Sequence, residues 1–323
     1  MMVAVLRKQG KETVAMRRQK GMNETYLPVF FRADTAERKI AVTVDDCDEP
    51  EILRRMVRLF DRHGAGLTLF PIGRNFSGPG MAELIRDCVF EKGVEIENHT
   101  MNHARIFRLP EPEMAREIWE QGLALDRLLG VNYRQHFFRP MGGDGFTDRR
   151  THNYLIQLGF RGIAEWTCCG SDTEPEEILD RLCPGAIYLF HTIEGDAEKL
   201  EKLLPYAAGR GYRFVTLNGL LGFRPNEITA YRPLPMPVPR AYTDDRSTCR
   251  RGDYTWNVFR MQKKLMALNL LVIDDGRPTG YYGALTEAAV RRFQELRGLP
   301  ATGEADAETQ ELLLPDSGSA AEP

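Results

Sequence analysis

Short apolar runs that read as β-strands alternate with amphipathic helical segments over about 185 residues, from Lys39 to Phe223. Such an alternation favours a mostly parallel sheet, because each crossover helix returns the chain to the same edge. Roughly seven strand–helix units fit a closed or nearly closed β/α barrel better than an open sheet. The pattern therefore predicts an α/β domain of this type.

Polar side chains stand at the carboxyl ends of the predicted strands. Asp45 and Asp46 end the first strand, His99 the third and His191 the sixth, and Arg139 lies near the end of the fourth. In a β/α barrel the chemistry is carried at this end of the strands. We therefore expect these side chains to converge on one site.

The residue types at this edge suit a metal site. His99 and His103 are four apart, and on a helical turn both imidazoles would reach one ion. Two histidines with one carboxylate, Asp46, leave metal positions open for water and substrate, and Asp45 would face that water. A solvated acidic turn and two surface histidines remain the alternative at this point.

Five short motifs, in order, carry a family resemblance. They are "TVDDC" (43–47), "HTMNH" (99–103), "RPMGG" (139–143), "EWTCCGSDT" (165–173) and "LFH" (189–191). With their spacing, segment 39–222 resembles the NodB-type polysaccharide deacetylases of carbohydrate esterase family four. The resemblance implies a distorted (β/α)7 barrel that holds one divalent metal ion, usually Zn²⁺, and hydrolyses acetamido groups.

The resemblance also implies a role for each matched residue. Asp46, His99 and His103 would bind the metal. Asp45 would be the base, His191 the acid that protonates the leaving amine, and Arg139 the group that orients Asp45.

Several positions depart from the family pattern. Cys47 replaces a glycine, Cys169 an aspartate and Thr173 a tryptophan, and the third motif reads "RPMGG" where the family has a tyrosine. The substrate groove is therefore remodelled. Its expected residues are Met141, Gly142, Trp166 and Asp172.

The rest of the chain divides by composition. The predicted domains are an arm (1–35), the barrel (36–225), a Pro-rich linker (226–252), a three-helix domain (253–315) and a disordered tail (316–323). Because of the segment "TGYYGALTEAAVRRFQELRGLPATGEADAETQELL", the three-helix domain (253–315) resembles a peptidoglycan-binding domain of the three-helix type.

Charge and hydropathy limit the classes of partner that the chain is expected to bind. The formal net charge of −3 gives no reason to expect nucleic-acid binding, and no apolar run approaches a membrane span. The six cysteines show no CxxC pair and are expected as free thiols in a monomer. The sequence shows no signal peptide, whereas the implied substrate points to the cell wall or the extracellular space.

These observations favour a de-N-acetylase that acts on N-acetylglucosamine or N-acetylmuramic acid in peptidoglycan, or on a related N-acetylated glycan, and is held there by its own binding domain. Two alternatives stay open. One is a related C–N amide hydrolase for a small non-glycan substrate, and the other is a catalytically silent peptidoglycan-binding protein.

Overall fold

The structure is a computed structural model that describes residues 27–239, 248–253, 256–273, 278 and 282–314. Most of the predicted arm and the whole predicted tail lie outside the described residues.

Residues 27–239 form a layer of helices around two mostly parallel sheets. The strands are β1 (Val29–Phe30), β2 (Lys39–Asp46), β3 (Thr68–Pro71), β4 (Glu95–Ile96), β5 (Val131–Tyr133), β6 (Phe137–Phe138), β7 (Gly162–Ala164), β8 (Cys168–Cys169), β9 (Ile187–His191), β10 (Arg213–Phe214) and β11 (Ile228–Ala230). The helices are α1 (Pro50–Arg62), α2 (Met81–Phe90), α3 (Glu111–Leu129), α4 (Arg149–Leu158), α5 (Pro175–Asp180), α6 (Glu194–Gly209) and α7 (Leu217–Leu221).

The two sheets face a common interior. One sheet has the order β4-β3-β2-β9-β8, with β10 paired to β2, and the other has the order β1-β7-β6. A parallel bridge between Asn98 and Phe138 and an antiparallel bridge between Arg32 and Ala186 connect them. The ring is thus closed partly by isolated bridges, which confirms the distorted barrel.

The side-chain period of β2 explains how the barrel is filled. Ile40, Val42 and Val44 pack outward in the core beneath the helices. Ala41 packs inward with apolar side chains of β3, β6, β7 and β9. Because the period of a strand is two residues, Thr43 and Asp45 share the inward face with Ala41. β2 therefore carries Thr43 and Asp45 into the barrel interior.

Two short strands lie outside residues 36–225, the range predicted for the barrel. β1 pairs in parallel with β7, and β11 pairs antiparallel with β5. The linker then follows the barrel surface, where the Tyr154 hydroxyl donates to the carbonyl of Pro237. The composition of a Pro-rich segment does not reveal such edge pairing.

The C-terminal domain contains the three expected helices, α8 (Trp256–Ala267), α9 (Ala284–Arg297) and α10 (Ala307–Leu313). Its core joins Val258 and Met261 of α8 to Val290 and Phe293 of α9. Among the described helices of both domains, none is long and apolar enough to cross a membrane. The six cysteines all lie in the described part of the chain, and none of them forms a disulfide.

Candidate active site

Asp45 and Asp46 are brought to one site by a reversal of the backbone at the end of β2. Neighbouring side chains on a strand point to opposite faces. Here Asp46 and Cys47 have φ values of 63° and 52°, in the left-handed region that non-glycine residues seldom adopt. The carbonyl of Asp46 is fixed there by the side chain of Asn75, whose Nδ2 donates to it at 2.9 Å. Such strain is typical of functional sites.

Three side chains converge in front of this turn with the composition of a metal site. Asp46 Oδ1 lies 3.4 Å from His99 Nε2 and 3.4 Å from His103 Nε2. The three ligand atoms all lie within 4.8 Å of one another. Asp46 Oδ1 is buried and accepts no hydrogen bond from the described residues. A buried oxygen without a partner is costly, so this donor set fits a divalent cation.

The two histidines reach the site from a loop. The prediction of a helical turn at the "HTMNH" motif was wrong, because Thr100 and His103 have positive φ values of 67° and 60°. His99 Nδ1 lies 2.8 Å from the carbonyl of Arg139 and donates to it. This bond fixes the tautomer and leaves the lone pair of Nε2 for a metal ion.

The pKa shifts of the three clustered side chains show how the site responds to positive charge. Burial opposes the charged form of His99, but the carboxylates of Asp45 and Asp46 outweigh it and raise the pKa of this imidazole. Burial and the neighbouring His99 lower the pKa of His103, so its ring is neutral and can act as a ligand. Burial would raise the pKa of Asp46, but the nearby imidazole of His99, followed by that of His103, lowers it overall. The cluster therefore attracts a cation.

Arg139 occupies the barrel interior and holds Asp45. Its guanidinium donates to Asp45 Oδ1 at 2.6 Å, to Thr43 Oγ1 at 2.8 Å and to the carbonyl of Ala164 at 2.7 Å. It also stacks on the ring of Phe70, 4.1 Å from the centroid. With 0% exposure, Arg139 is among the largest fully buried side chains. Arg139 thus compensates the charge of the nearly fully buried Asp45.

The second oxygen of Asp45 faces the ligand cluster. Oδ2 lies 3.8 Å from His99 Nε2, while Oδ1 is held by Arg139. One carboxylate therefore has a fixed oxygen and an oxygen directed at the place where a metal ion would lie. This is the arrangement that a general base requires.

His191 stands beside Asp45 on the adjacent strand. In the register of β2 and β9 the two residues are direct partners. His191 Nδ1 lies 2.7 Å from Ser171 Oγ, and this hydroxyl donates to Asp196 Oδ2 at 2.6 Å. The side chain of His191 is 31% exposed, so the ring is held on one side and accessible on the other.

Ser171 and Asp196 were missed by the sequence analysis. The fourth motif drew attention to Asp172, whose side chain is exposed and lies beside Cys169. The available signal for Asp196 was its place in the first turn of the helix after His191. Acidic residues are common there for other reasons, so that signal is weak.

The third motif forms a tight turn that flanks the site. Residues Met141–Gly143 form a 3₁₀ turn in which Gly142 and Gly143 have φ values of 61° and 67°. A Cβ atom on Gly143 would lie 2.6 Å from Glu165 Oε2, so this wall requires glycine.

Burial raises the pKa of Glu165 to about 8. Sequence analysis missed Glu165, whereas the expected Trp166 does flank the site and lies 5.8 Å from the Arg139 guanidinium.

Comparison with known protein families gives two matches. Residues 32–163 match the family model for polysaccharide deacetylase. Residues 257–313 match the model for a peptidoglycan binding domain. The first match includes the expected base, all three expected ligands and Arg139, and ends before His191.

Individual relatives agree with these matches. A peptidoglycan-N-acetylglucosamine deacetylase of Bacillus cereus is 26% identical over 197 residues, which cover 58% of this chain and 70% of that protein. A solved structure of a peptidoglycan N-acetylglucosamine deacetylase superposes with a TM-score of 0.55 at 24% identity, covering 62% of this chain and 96% of that one.

A pseudoenzyme of the same fold is also similar. The structure of a carbohydrate esterase family four pseudoenzyme from Bacillus anthracis superposes with a TM-score of 0.53 at 21% identity, covering 60% of this chain and 69% of that one. At such identities the structural likeness establishes the fold. Activity has to be inferred from the residues of the site.

Proposed function

We propose that this chain, a NodB-type polysaccharide deacetylase joined to a peptidoglycan-binding domain, removes acetyl groups from N-acetylglucosamine residues of peptidoglycan with the help of one divalent cation, Zn²⁺. The observation that carries the proposal is the alignment of a base, a ligand cluster and an acid across neighbouring strands. Asp45 and His191 are register partners, and the cluster of Asp46, His99 and His103 lies in front of them.

Asp46, His99 and His103 would hold the cation. A divalent ion bound there supplies Lewis-acid polarisation of the acetyl carbonyl and activation of a water molecule. The unpartnered Asp46 Oδ1 and the tautomer of His99 support this assignment. Nitrogen and carboxylate ligands in a three-residue set suit Zn²⁺.

Asp45 would accept the proton of the attacking water. Arg139 fixes the orientation of Asp45 by donating to Oδ1, and the same guanidinium is held by a second hydrogen bond to Thr43 Oγ1. Oδ2 is the oxygen left to take the proton, and it is directed at the ligand cluster. A base positioned in this way contributes about 10²- to 10⁴-fold to the rate.

His191 would protonate the leaving amine. An amine is a poor leaving group until it carries a proton, so an acid is needed as the C–N bond breaks. With Nδ1 bound to Ser171, Nε2 is the nitrogen that can deliver the proton. The base and the acid thus come from adjacent strands.

The substrate follows from the domain combination and from the relatives. A peptidoglycan-binding domain on the same chain raises the local concentration of wall glycan near the site. The relative from Bacillus cereus is named for N-acetylglucosamine in peptidoglycan, which favours this sugar over N-acetylmuramic acid. The turn at Met141–Gly143 would form one wall of the groove, with Trp166 beside it. Exposed Asp172 would contact the glycan farther out.

The experiment is acetate release from purified peptidoglycan by the zinc-loaded full chain, followed by muramidase digestion and mass analysis of the fragments. We expect loss of acetyl from N-acetylglucosamine, and a loss about 10²- to 10⁴-fold slower with the Asp45→Asn variant. Loss of acetyl from N-acetylmuramic acid would overturn the sugar assignment. Turnover of a small amide without any acetate from peptidoglycan would favour the amide hydrolase, and no turnover of either substrate would favour a silent binding protein.

A further inference from the structure

We infer that Ser171 and Asp196 form a relay that positions His191, so that the carboxylate supporting the acid comes from the first turn of α6 and acts through a serine hydroxyl. This inference rests on the proposed function, because it gives His191 the role of acid. It names two positioning residues, neither of which was among the site residues expected from the sequence.

The relay consists of three short contacts. His191 Nδ1 and Ser171 Oγ are 2.7 Å apart, and Ser171 Oγ and Asp196 Oδ2 are 2.6 Å apart. The backbone N–H of His191 donates to the same Asp196 oxygen at 2.7 Å. The carboxylate therefore holds the histidine twice, directly through its backbone and indirectly through its ring.

The direction of the hydrogen bonds follows from the donors. A backbone N–H can only donate, so Asp196 Oδ2 acts as an acceptor towards His191. The hydroxyl of Ser171 has one hydrogen, which lies on the 2.6 Å contact to that carboxylate. Ser171 Oγ must then accept from the ring, so Nδ1 of His191 carries a hydrogen. In the protonated ring the second hydrogen is on Nε2, the nitrogen available to a leaving amine.

Asp196 is held firmly enough to act through another residue. Its side chain is 0% exposed and lies in the first turn of α6, where the helix dipole favours a negative charge. Lys199 Nζ lies 3.9 Å from Asp196 Oδ1 and donates to the carbonyl of Gly170 at 2.7 Å. The lysine therefore connects the carboxylate to the segment that carries Ser171.

Gly170 allows Ser171 to reach the ring. Its amide donates to the carbonyl of Leu189 at 2.7 Å, which keeps this segment against β9. A Cβ atom on Gly170 would lie 2.1 Å from the ring of Phe190, so a side chain there would push the segment away. The serine is thus placed over the end of β9 by a close backbone approach.

The kinetic test uses Ser171→Ala and Ser171→Thr in the full chain. Loss of an outer partner that orients a site histidine costs about 10- to 100-fold in activity, and we expect this loss in kcat for Ser171→Ala with KM little changed. Ser171→Thr keeps the hydroxyl and should recover most of the activity. In a His191→Ala background, Ser171→Ala should cost nothing further, whereas a merely structural serine would cost the same in both backgrounds and overturn the relay.

Asp196→Asn provides the second arm, with Glu198→Gln as its control. Glu198 is an exposed acidic residue on the same helix, two positions along the chain. We expect kcat to fall about 10- to 100-fold in Asp196→Asn and to stay within about 2-fold in Glu198→Gln. Equal losses in the two variants would mean that the charge of the helix, and not the relay, supports activity.

A measurement without turnover separates the relay from the proposed function. Long-range ¹H–¹⁵N spectra of histidine-labelled protein, assigned with a His191→Gln variant, report which ring nitrogen of His191 carries the hydrogen. We expect the Nδ1–H form in the wild type and a change in Ser171→Ala. An Nε2–H form in the wild type, or identical spectra in both proteins, would overturn the relay. Absence of acetate release with the expected spectra would reject the proposed function alone.

Discussion

The buried pair of Arg139 and Asp45 should be far more important to stability than an exposed pair of the same kind. Arg139 Nη1 lies 2.6 Å from Asp45 Oδ1, and the two side chains are 0% and 4% exposed. Arg105 Nη1 also lies 2.6 Å from a carboxylate, that of Asp144, but these side chains are 46% and 36% exposed. The two pairs match in chemistry and distance and differ in burial.

The expected magnitudes follow from that difference. Removing one partner of a buried pair leaves an uncompensated charge and costs about 3–5 kcal/mol. Breaking an exposed pair costs about 0–1 kcal/mol. For a domain of this size each kcal/mol corresponds to about 2–4 °C in the unfolding temperature. We therefore expect Arg139→Met to lower Tm by about 6–20 °C and Arg105→Met to lower it by about 4 °C or less.

Thermal unfolding of the full chain, followed by calorimetry, measures both shifts. A third variant, Arg139→Met with Asp45→Asn, removes the orphaned charge and should be more stable than Arg139→Met alone. Similar shifts in the Arg139 and Arg105 single variants would refute the reasoning. So would a double variant that is less stable than Arg139→Met, because the cost would then lie in packing and not in the unpaired carboxylate.

Three further predictions concern the metal, pH and the second domain. His103→Ala should abolish tight binding of one divalent ion per chain, and full occupancy by elemental analysis would contradict this. Burial raises the pKa of Glu165 from 4.5 to about 8. Between pH 4.5 and pH 8 this carboxyl is therefore protonated in the folded protein but ionised in the unfolded chain. Stability should therefore fall as pH rises through that window, and Glu165→Gln should flatten the fall in unfolding curves at pH 5 and pH 8; parallel curves would contradict it. A chain that ends at residue 239 should deacetylate soluble oligosaccharides normally but pellet less with insoluble peptidoglycan, and equal pelleting would contradict a binding role for the C-terminal domain.

The sequence predicts those parts of the site that depend on periodicity. Thr43 and Asp45 alternate with outward-facing apolar residues of β2, and His191 ends a strand of the same kind. The carboxyl ends of the strands in a β/α barrel meet at one edge. The convergence of four side chains could therefore be predicted from the sequence: Asp45, Asp46, His99 and His191. The order and spacing of the motifs then indicated the family resemblance.

Other features of the site and the fold could not be predicted from the sequence, because they depend on backbone reversals or on contacts between residues that are distant in the chain. The positive φ values of Asp46, Thr100 and His103 turn their side chains into the site against the local pattern. Ser171 and Asp196 meet across 25 positions of the chain. Ser171 lies within the fourth motif but was not among the expected site residues, and Asp196 belongs to no motif. The pairing of β11 with β5 likewise depends on an exposed edge that composition does not show. The expected monomer and the domain boundaries stay predictions.

We expect the two neighbouring carboxylates, Asp45 and Asp46, to have different functions. Zinc titration of the metal-free Asp45→Asn and Asp46→Asn variants, with acetate release measured on the same samples, tests this expectation most directly. Asp45→Asn should bind zinc as the wild type does while turnover falls by about two to four orders of magnitude, the usual contribution of a positioned base. Asp46→Asn should lose both zinc and turnover. Equal loss of zinc in the two variants, or near-normal turnover in Asp45→Asn, would contradict the account.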